Sequence, residues 1–444
     1  MEQESENLKE RILKDPMMIL FHKFKKEFMK IVILTGVKFN KKDTSIFTKI
    51  LKSYKINYKN YPPVKHSNNS NENIYITNFS TSEEDKIKCK NIIENNLNEE
   101  QKKDLKYSLT EENITLTLKN FSYEEILKFF FENQNENDLK NYPSSFEIIG
   151  KIAHMNLKDE YLKYKYIIGE LILEKNPSIK TVVNKIGKID NVYRTYDMEI
   201  IAGEENYFVE HKEDNIIFKF DLRKTYWCSR LQNERKRILN LMKKDNILLD
   251  AFCGVGPLSL RACKKGIKVY ANDLNPDCYN YLNDNIKYNK IPNNMIKTYN
   301  MDARDFIKNF IEKSKKIINN DEDNLDNIFP YDIHIDHIYM NLPKDAIEFL
   351  DVFIGLFKGC KENIYNKDNL PIIHVYGFAK TVDNPIEELK ERIANAFKID
   401  FKLFKEKCEK DILNVENVRD ISNRKVVFCI DMKIPYIVAY GLNK

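Results

Sequence analysis

Glycine is scarce in this chain, 12 residues in 444, and there is a single tryptophan, Trp227. Each glycine in so Lys/Asn-rich a sequence therefore needs a local reason. The eight cysteines (Cys89, Cys228, Cys253, Cys263, Cys278, Cys360, Cys408 and Cys429) stand singly, with no C-x-x-C. That spacing argues against a disulfide framework or structural zinc and for a reducing compartment. No apolar run approaches the roughly 18 residues of a membrane span. A surplus of one charge sign is also missing, since 72 Lys and Arg meet 67 Asp and Glu for a net +5. That balance permits an RNA partner without demanding one. The opening MEQESENLKERILKD is acidic, unlike a signal or transit peptide. The expected protein is soluble, in the cytoplasm or nucleus, with a mitochondrial matrix pool compatible.

What is present divides into three stretches. Residues 1–140 mix strand and helix patterns: IVILTGVKF reads as a strand, DKIKCKNIIENNL and SYEEILKFFFEN as amphipathic helices. The Asn/Lys/Glu-rich patches at 66–75, 95–104 and 132–141 read as loops. A small α+β module is expected over 144–225, with a strand across SSFEIIGKIAHMNL, a helix in YLKYKYIIGELILEK, a strand in IKTVVNKIG and a meander from MEIIAG to NIIFKFDL. From 226 to 444, after a helix near Leu231 to Met242, strands and helices alternate, which predicts a doubly wound, Rossmann-like α/β sheet whose strand ends converge on one edge. The stretch 308–330 reads as a surface insertion.

The glycines Gly254 and Gly256 fall in ILLDAFCGVGPLSL, directly after the first of these strands. A glycine loop opening a helix lets backbone approach a ligand. Asp273 ends the next strand roughly 20 residues beyond Asp250, where a carboxylate suits ribose hydroxyls. Ser259 stands where a third glycine would support a pyrophosphate, so S-adenosylmethionine fits better than a dinucleotide. In NMDARDF, Asp302 is placed to accept from an adenine amino group and the Ala303 N–H to donate; a helix N-cap is the plainer role for Asp302. The fourth strand ends in MNLP, where Asn341 and Pro343 make an amide and a rigid turn suited to holding the edge of a nitrogenous base, though Asn-x-Pro also makes ordinary turns.

Together SRLQNERKRI, DAFCGVGPLSL, ANDLNPDC, MDARDF and MNLPKDAIEFLD resemble the class I tRNA guanine-37 N1-methyltransferases of archaea and eukaryotes. The resemblance covers residues 144–444, with the first 140 similar only in position and pattern. It implies S-adenosylmethionine as methyl donor, N1 of the guanosine beside the anticodon as acceptor, and a monomer of three domains (1–140, 144–225, 226–444) gripping the anticodon stem-loop and elbow of tRNA. It also implies roles: Glu234 as general base, Arg194 as clamp on guanine O6, Asn341 as holder of the guanine edge, and Arg235 at the cofactor with Tyr226 near it. Along the cofactor it implies Asp250, Phe252, Gly254, Gly256, Asp273, Leu274, Asp302, Ala303, Asn341 and Pro343. Loss of the N1 proton moves charge onto O6, so a base and a cation are the chemistry required.

Plainer readings stand beside these. Arg230, four residues before Glu234, shares a helix face with it and makes either a substrate contact or a surface ion pair. Arg194 suits O6 or a tRNA phosphate. Strand alternation separates His334 and Asp336 from His337, which argues against a metal site, and Trp227 reads as packing beside the loop. Cys253 occupies a small-residue position of the loop. Two rival functions remain: transfer of the cofactor's aminocarboxypropyl arm to a modified tRNA guanosine, and an RNA-binding methyltransferase fold without activity.

Overall fold

The computed structural model describes residues 10, 12–66, 71–134, 142–187, 193–319, 334–361, 364–380, 384–422 and 425–441. The chain forms two compact units, one of Met1–Phe146, Met155–Asn184 and Ile200–Glu205, the other of Glu147–His154, Lys185–Glu199 and Asn206–Lys444. The segment 144–225, expected as one module, is shared between them.

In the first unit β1 (Lys30–Asn40), β2 (Val64–His66), β3 (Glu72–Ile76) and β4 (Tyr107–Leu116) form an antiparallel sheet in the order β2-β3-β1-β4. Its core joins Val37 and Phe39 of β1 to Phe47, Leu51 and Ile93 of the covering helices. Two of the expected loops are ordered differently. The patch 66–75 contains most of β3, and 95–104 holds the helix Glu99–Asp104, started by a reciprocal Asn98 and Gln101 capping box. The third patch lies largely outside the described residues.

The stretch read as one strand across Gly150 is a hairpin of β5 (Glu147–Ile149) and β6 (Ile152–Met155), turning at a glycine with φ of +59°. After β7 (Thr181–Ile186), β8 (Asp197–Gly203) belongs to a different sheet from β9 (Phe208–Glu213) and β10 (Ile216–Asp221), which pair only with each other. The expected meander is thus a hairpin preceded by a separate strand.

The second unit is built on seven strands: β11 (Ile247–Asp250), β12 (Lys268–Asn272), β13 (Ile296–Tyr299), β14 (His337–Met340), β15 (Ile372–Lys380), β16 (Ile412–Ser422) and β17 (Lys425–Lys433). Their order is β13-β12-β11-β14-β15-β17-β16; the first five run parallel, and β17 runs antiparallel to both its neighbours, β15 and β16. The order reverses between β11 and β14, the place where open α/β sheets leave a crevice beyond the strand ends. The first part of the supposed insertion at 308–330 is instead the end of a helix, Ala303–Asn319. Phe306, Ile307, Phe310 and Ile311 recur at helical spacing and are buried in the sheet core, while 320–333 lie outside the described residues.

Candidate active site

A cavity of about 700 Å³ opens at that crevice. Its wall includes Asp250, Phe252, Gly254, Asp273, Leu274, Asp302, Ala303, Asn341 and Pro343, so the ends of β11, β12, β13 and β14 meet there. The alternation of short strands and helices produces this: each strand ends in an acidic or amide residue just where the chain turns toward the next helix.

Asp250 is buried, and its Oδ2 accepts from the Ser259 hydroxyl at 2.6 Å. The other oxygen, Oδ1, is buried with no hydrogen-bond partner among the described residues. Burial, opposed by the Ser259 bond and aided by the Asp273 charge, raises this carboxyl to about 7. Asp273 accepts from the N–H of Gly254 at 2.8 Å and of Asn275 at 2.9 Å, and burial raises it too. Asp302 accepts from the Arg304 N–H at 2.8 Å, the helix-capping role, while lining the cavity. Phe252 packs edge-on against Phe349 with ring centroids 5.2 Å apart.

The two glycines do different work. Gly254 has φ of +56° and open space where a side chain would project, and it lines the cavity. Gly256, at φ of +89°, is not on the cavity wall where it was expected; a side chain there would collide with Leu260 and Leu282, so packing requires the glycine. Cys253 is buried between them and Asp250, and burial pushes its thiol well up.

Arg194 is on the wall, in the left-handed region at φ of +59°, with its guanidinium on Asp345. Arg235 is buried, forked onto Glu213 at 2.7 Å and donating to the Cys228 carbonyl at 3.3 Å; Arg261 joins the same glutamate. Trp227 stacks on Phe220 at 5.2 Å, and Tyr226 lines the cavity beside it. Glu234 sits deeper. It is buried on the helix Gln232–Leu241, accepting from Arg237 at 2.8 Å on each oxygen and from the Tyr376 hydroxyl at 2.6 Å. Arg237 continues to Asp431, 2.6 Å away. The expected Arg230 and Glu234 face does not form: Arg230 is exposed in the 3-10 turn Ser229–Leu231 before the helix, and Glu234 turns inward to Arg237.

Asn341 donates through Nδ2 to the Tyr339 hydroxyl at 2.8 Å, and the Tyr339 ring packs edge-on against that of Tyr376 with centroids 5.4 Å apart. His334 meets the Asn369 carbonyl at 3.0 Å and His337 meets His374 at 3.1 Å, so the two histidines have separate partners.

Sequence reasoning missed the far wall: Tyr193, Tyr196, Phe378, Arg419, Ile421 and Val427. Arg419 reaches Cys228 Sγ at 3.2 Å, and Lys185 lies 4.1 Å over the Tyr196 ring. The signal for part of it was present in KVVFCIDMK, an apolar run bounded by lysines that forms β17.

The donor set fits S-adenosylmethionine. Two carboxylates without a cationic partner, one with an orphaned oxygen, face a cavity that an adenosine carrying a sulfonium and an ammonium would fill with donors and positive charge. Residues 209–324 match the family described as TRM5/TYW2 methyltransferase domain, and 123–206 that described as TYW2 N-terminal domain. The chain is 38% identical over 397 residues to the tRNA (guanine(37)-N(1))-methyltransferase of Dictyostelium discoideum, spanning 89% of this chain and 77% of that one. It is 40% identical over 353 residues to the enzyme of the same name from Candida albicans, spanning 72% and 76%. Among solved structures it is similar to Trm5b from Pyrococcus abyssi, with TM-score 0.60 and 26% identity over 91% of this chain and 100% of that one. No helix among the described residues is long and apolar enough to cross a membrane.

Proposed function

The chain belongs to the tRNA (guanine(37)-N(1))-methyltransferase family, and on that premise we propose how its residues carry out the reaction. It is an S-adenosylmethionine-dependent enzyme that methylates N1 of guanosine 37 in tRNA. The observation that carries the assignment to this site is the meeting of four strand ends, with carboxylates lacking a cationic partner on one side of the cavity and the Asn341 amide with Pro343 on the other. S-adenosylmethionine, when bound, supplies a methyl group on a positively charged sulfur.

Asp273 accepts from the ribose hydroxyls with the lone pairs that Gly254 and Asn275 leave unused, and Asp302 with the Ala303 N–H takes the adenine edge. Leu274, Phe252 and Pro343 wall the adenosine, and Asp250 faces its positive end. Asn341 holds the guanine edge. Glu234 is the base for the N1 proton, a role that requires its carboxylate to leave Arg237 and Tyr376 and meet the guanine directly. Arg194 exchanges Asp345 for O6 as negative charge develops there. Arg235, fixed by Glu213, holds the Trp227 and Cys228 side of the cavity in place. A substrate role for Arg230 is confined to tRNA outside the cavity, given its exposure. The protein acts as a monomer on the anticodon stem-loop and elbow of tRNA.

Methyl transfer from labelled S-adenosylmethionine to a guanosine-37 tRNA transcript, followed by nucleoside mass analysis, tests this beside Glu234→Ala. We expect 1-methylguanosine from the wild type and a loss of at least roughly 100-fold in the variant with cofactor binding retained. An aminocarboxypropyl nucleoside would replace the reading with its nearest rival; no cofactor binding at all would favour an inactive RNA-binding fold.

A further inference from the structure

To reach the methyl group, N1 of the target guanine has to leave the stack of the anticodon loop, and a base drawn out of its stack is held by side chains that replace the ring contacts it loses. Asn341 offers only an edge contact. Most aromatic rings of the cavity wall are engaged elsewhere: Phe252 and Phe349 pack on each other, Trp227 stacks on Phe220, Tyr339 meets Tyr376 edge-on, and the Tyr196 ring carries Lys185. Phe378 is placed differently. It lies on β15 just past the residues that pair with β14, and its N–H donates to the Pro343 carbonyl at 3.1 Å, which sets it across from the turn that carries Asn341. Its own carbonyl accepts from Arg392 at 2.9 Å, so the backbone is fixed on both sides. Alternation along the strand then directs the ring. A side chain on Gly377 would run into Ile347 and Leu389 in the core, so Phe378 points to the opposite face, where it lines the cavity with its cross-strand partner Val427. The Lys425 ammonium lies 4.0 Å from the ring centroid. Lys425 is exposed and is not on the cavity wall, so it covers the ring from outside and leaves the other face to the cavity.

We propose that Phe378 is the stacking surface for the target guanine: the base lays one face on this ring while Asn341, on the neighbouring strand end, holds its edge. This rests on the reading of Asn341 as the residue that holds the base at position 37. A base gripped by its edge alone still swings about that edge. A ring fixed through its backbone to the same turn removes the swing, and so presents N1 in one plane.

The test is equilibrium binding of two versions of one tRNA transcript, with guanosine or an abasic ribose at position 37, to the full-length protein with S-adenosylhomocysteine present. It is run for wild type, Phe378→Leu, Phe378→Met and Phe378→Tyr. In the Leu and Met variants the preference for guanosine over the abasic site falls roughly 10-fold, the scale of one base–aromatic stack, while affinity for S-adenosylhomocysteine stays at the wild-type value. Phe378→Tyr, which keeps the ring, keeps the preference. A merely structural role weakens both transcripts together and leaves the ratio unchanged. An unchanged ratio in the folded Leu and Met variants overturns the proposal and passes the role to Tyr193 or Tyr226, exposed rings of the same wall. A Tyr variant that falls as far as Leu overturns it too, as does a wild type that binds both transcripts alike. A wild type that prefers guanosine and yet forms no 1-methylguanosine from S-adenosylmethionine counts against the proposed function and not against this inference.

Discussion

The two sides of the catalytic unit treat their buried carboxylates in opposite ways. On the front side, at the ends of β11 and β12, Asp250 and Asp273 are matched with a hydroxyl and backbone N–H groups but with no cation. Behind the wall, Glu234 and Asp431 share Arg237, while Glu213 takes both Arg235 and Arg261. The consequence shows in their protonation: burial lifts the two front carboxyls, whereas His374 and Arg237 outweigh burial at Asp431 and hold it well below the usual carboxylate range. Acceptor capacity left unused marks where the cofactor belongs, and at Glu213 and Asp431 capacity already taken up marks scaffold.

Removing a cation from the rear should make it behave like the front, at a cost the fold feels. Arg237→Met strands two buried carboxylates, and we expect about 3 kcal/mol of lost stability, near the low end for a broken buried pair because part of the guanidinium is exposed. Chemical denaturation at neutral pH measures it, and a loss below about 1 kcal/mol would show that the rear pairs hold nothing together. On the front, Asp273→Asn turns an acceptor into a group that meets the Gly254 and Asn275 donors with a donor of its own. Calorimetry should find S-adenosylmethionine bound more weakly by about 2 kcal/mol, roughly 30-fold, with thermal stability little changed.

The smallest effect is a dependence on pH. A carboxyl at about 7 in the folded protein is protonated where binding of a cation would require it ionised. Binding then expels a proton, so the dissociation constant of S-adenosylmethionine should rise toward tenfold per unit as pH falls below about 7. Asp250→Asn should flatten that slope. The sign for stability is opposite to that of an ion-paired carboxylate. The folded chain keeps a proton that the unfolded chain gives up near 3.9, so Asp250 contributes a loss of stability as pH rises from about 4 to 7 in protein without cofactor. At Asp431, whose carboxyl is depressed, stability is instead lost as pH falls below that unfolded value.

The front side was the legible side. Asp250, Asp273, Asp302 and Asn341 each stand at or just beyond the end of a strand of the parallel half, with Gly254 in the turn after the first, and a strand end is a local signal: an apolar run, then a polar residue and a turn. The rear depends on choices no spacing fixes. Arg230 and Arg237 lie four and three residues from Glu234, and only the start of the helix at Gln232, after a 3-10 turn, decides that the second is the partner. Composition misled at the helix Ala303–Asn319, where Lys and Asn on the outer face obscured apolar residues at helical spacing. It misled again at Gly256, because a glycine required by packing and one required by a ligand look alike until Leu260 and Leu282 are in place. Tyr339 and Tyr376 sit on neighbouring strands, β14 and β15, and only the sheet brings their rings edge to face.

The division of the chain into two units has a consequence for how it can be dissected. Residues 147–154 and 185–199 belong to the catalytic unit although the intervening 155–184 does not, and the second of these pieces carries Tyr193, Arg194 and Tyr196 of the cavity wall. A gene cut at any one point before residue 206 would therefore sever part of one unit or carry off part of the other. Neither unit can therefore be separated whole from the other by one break in the chain.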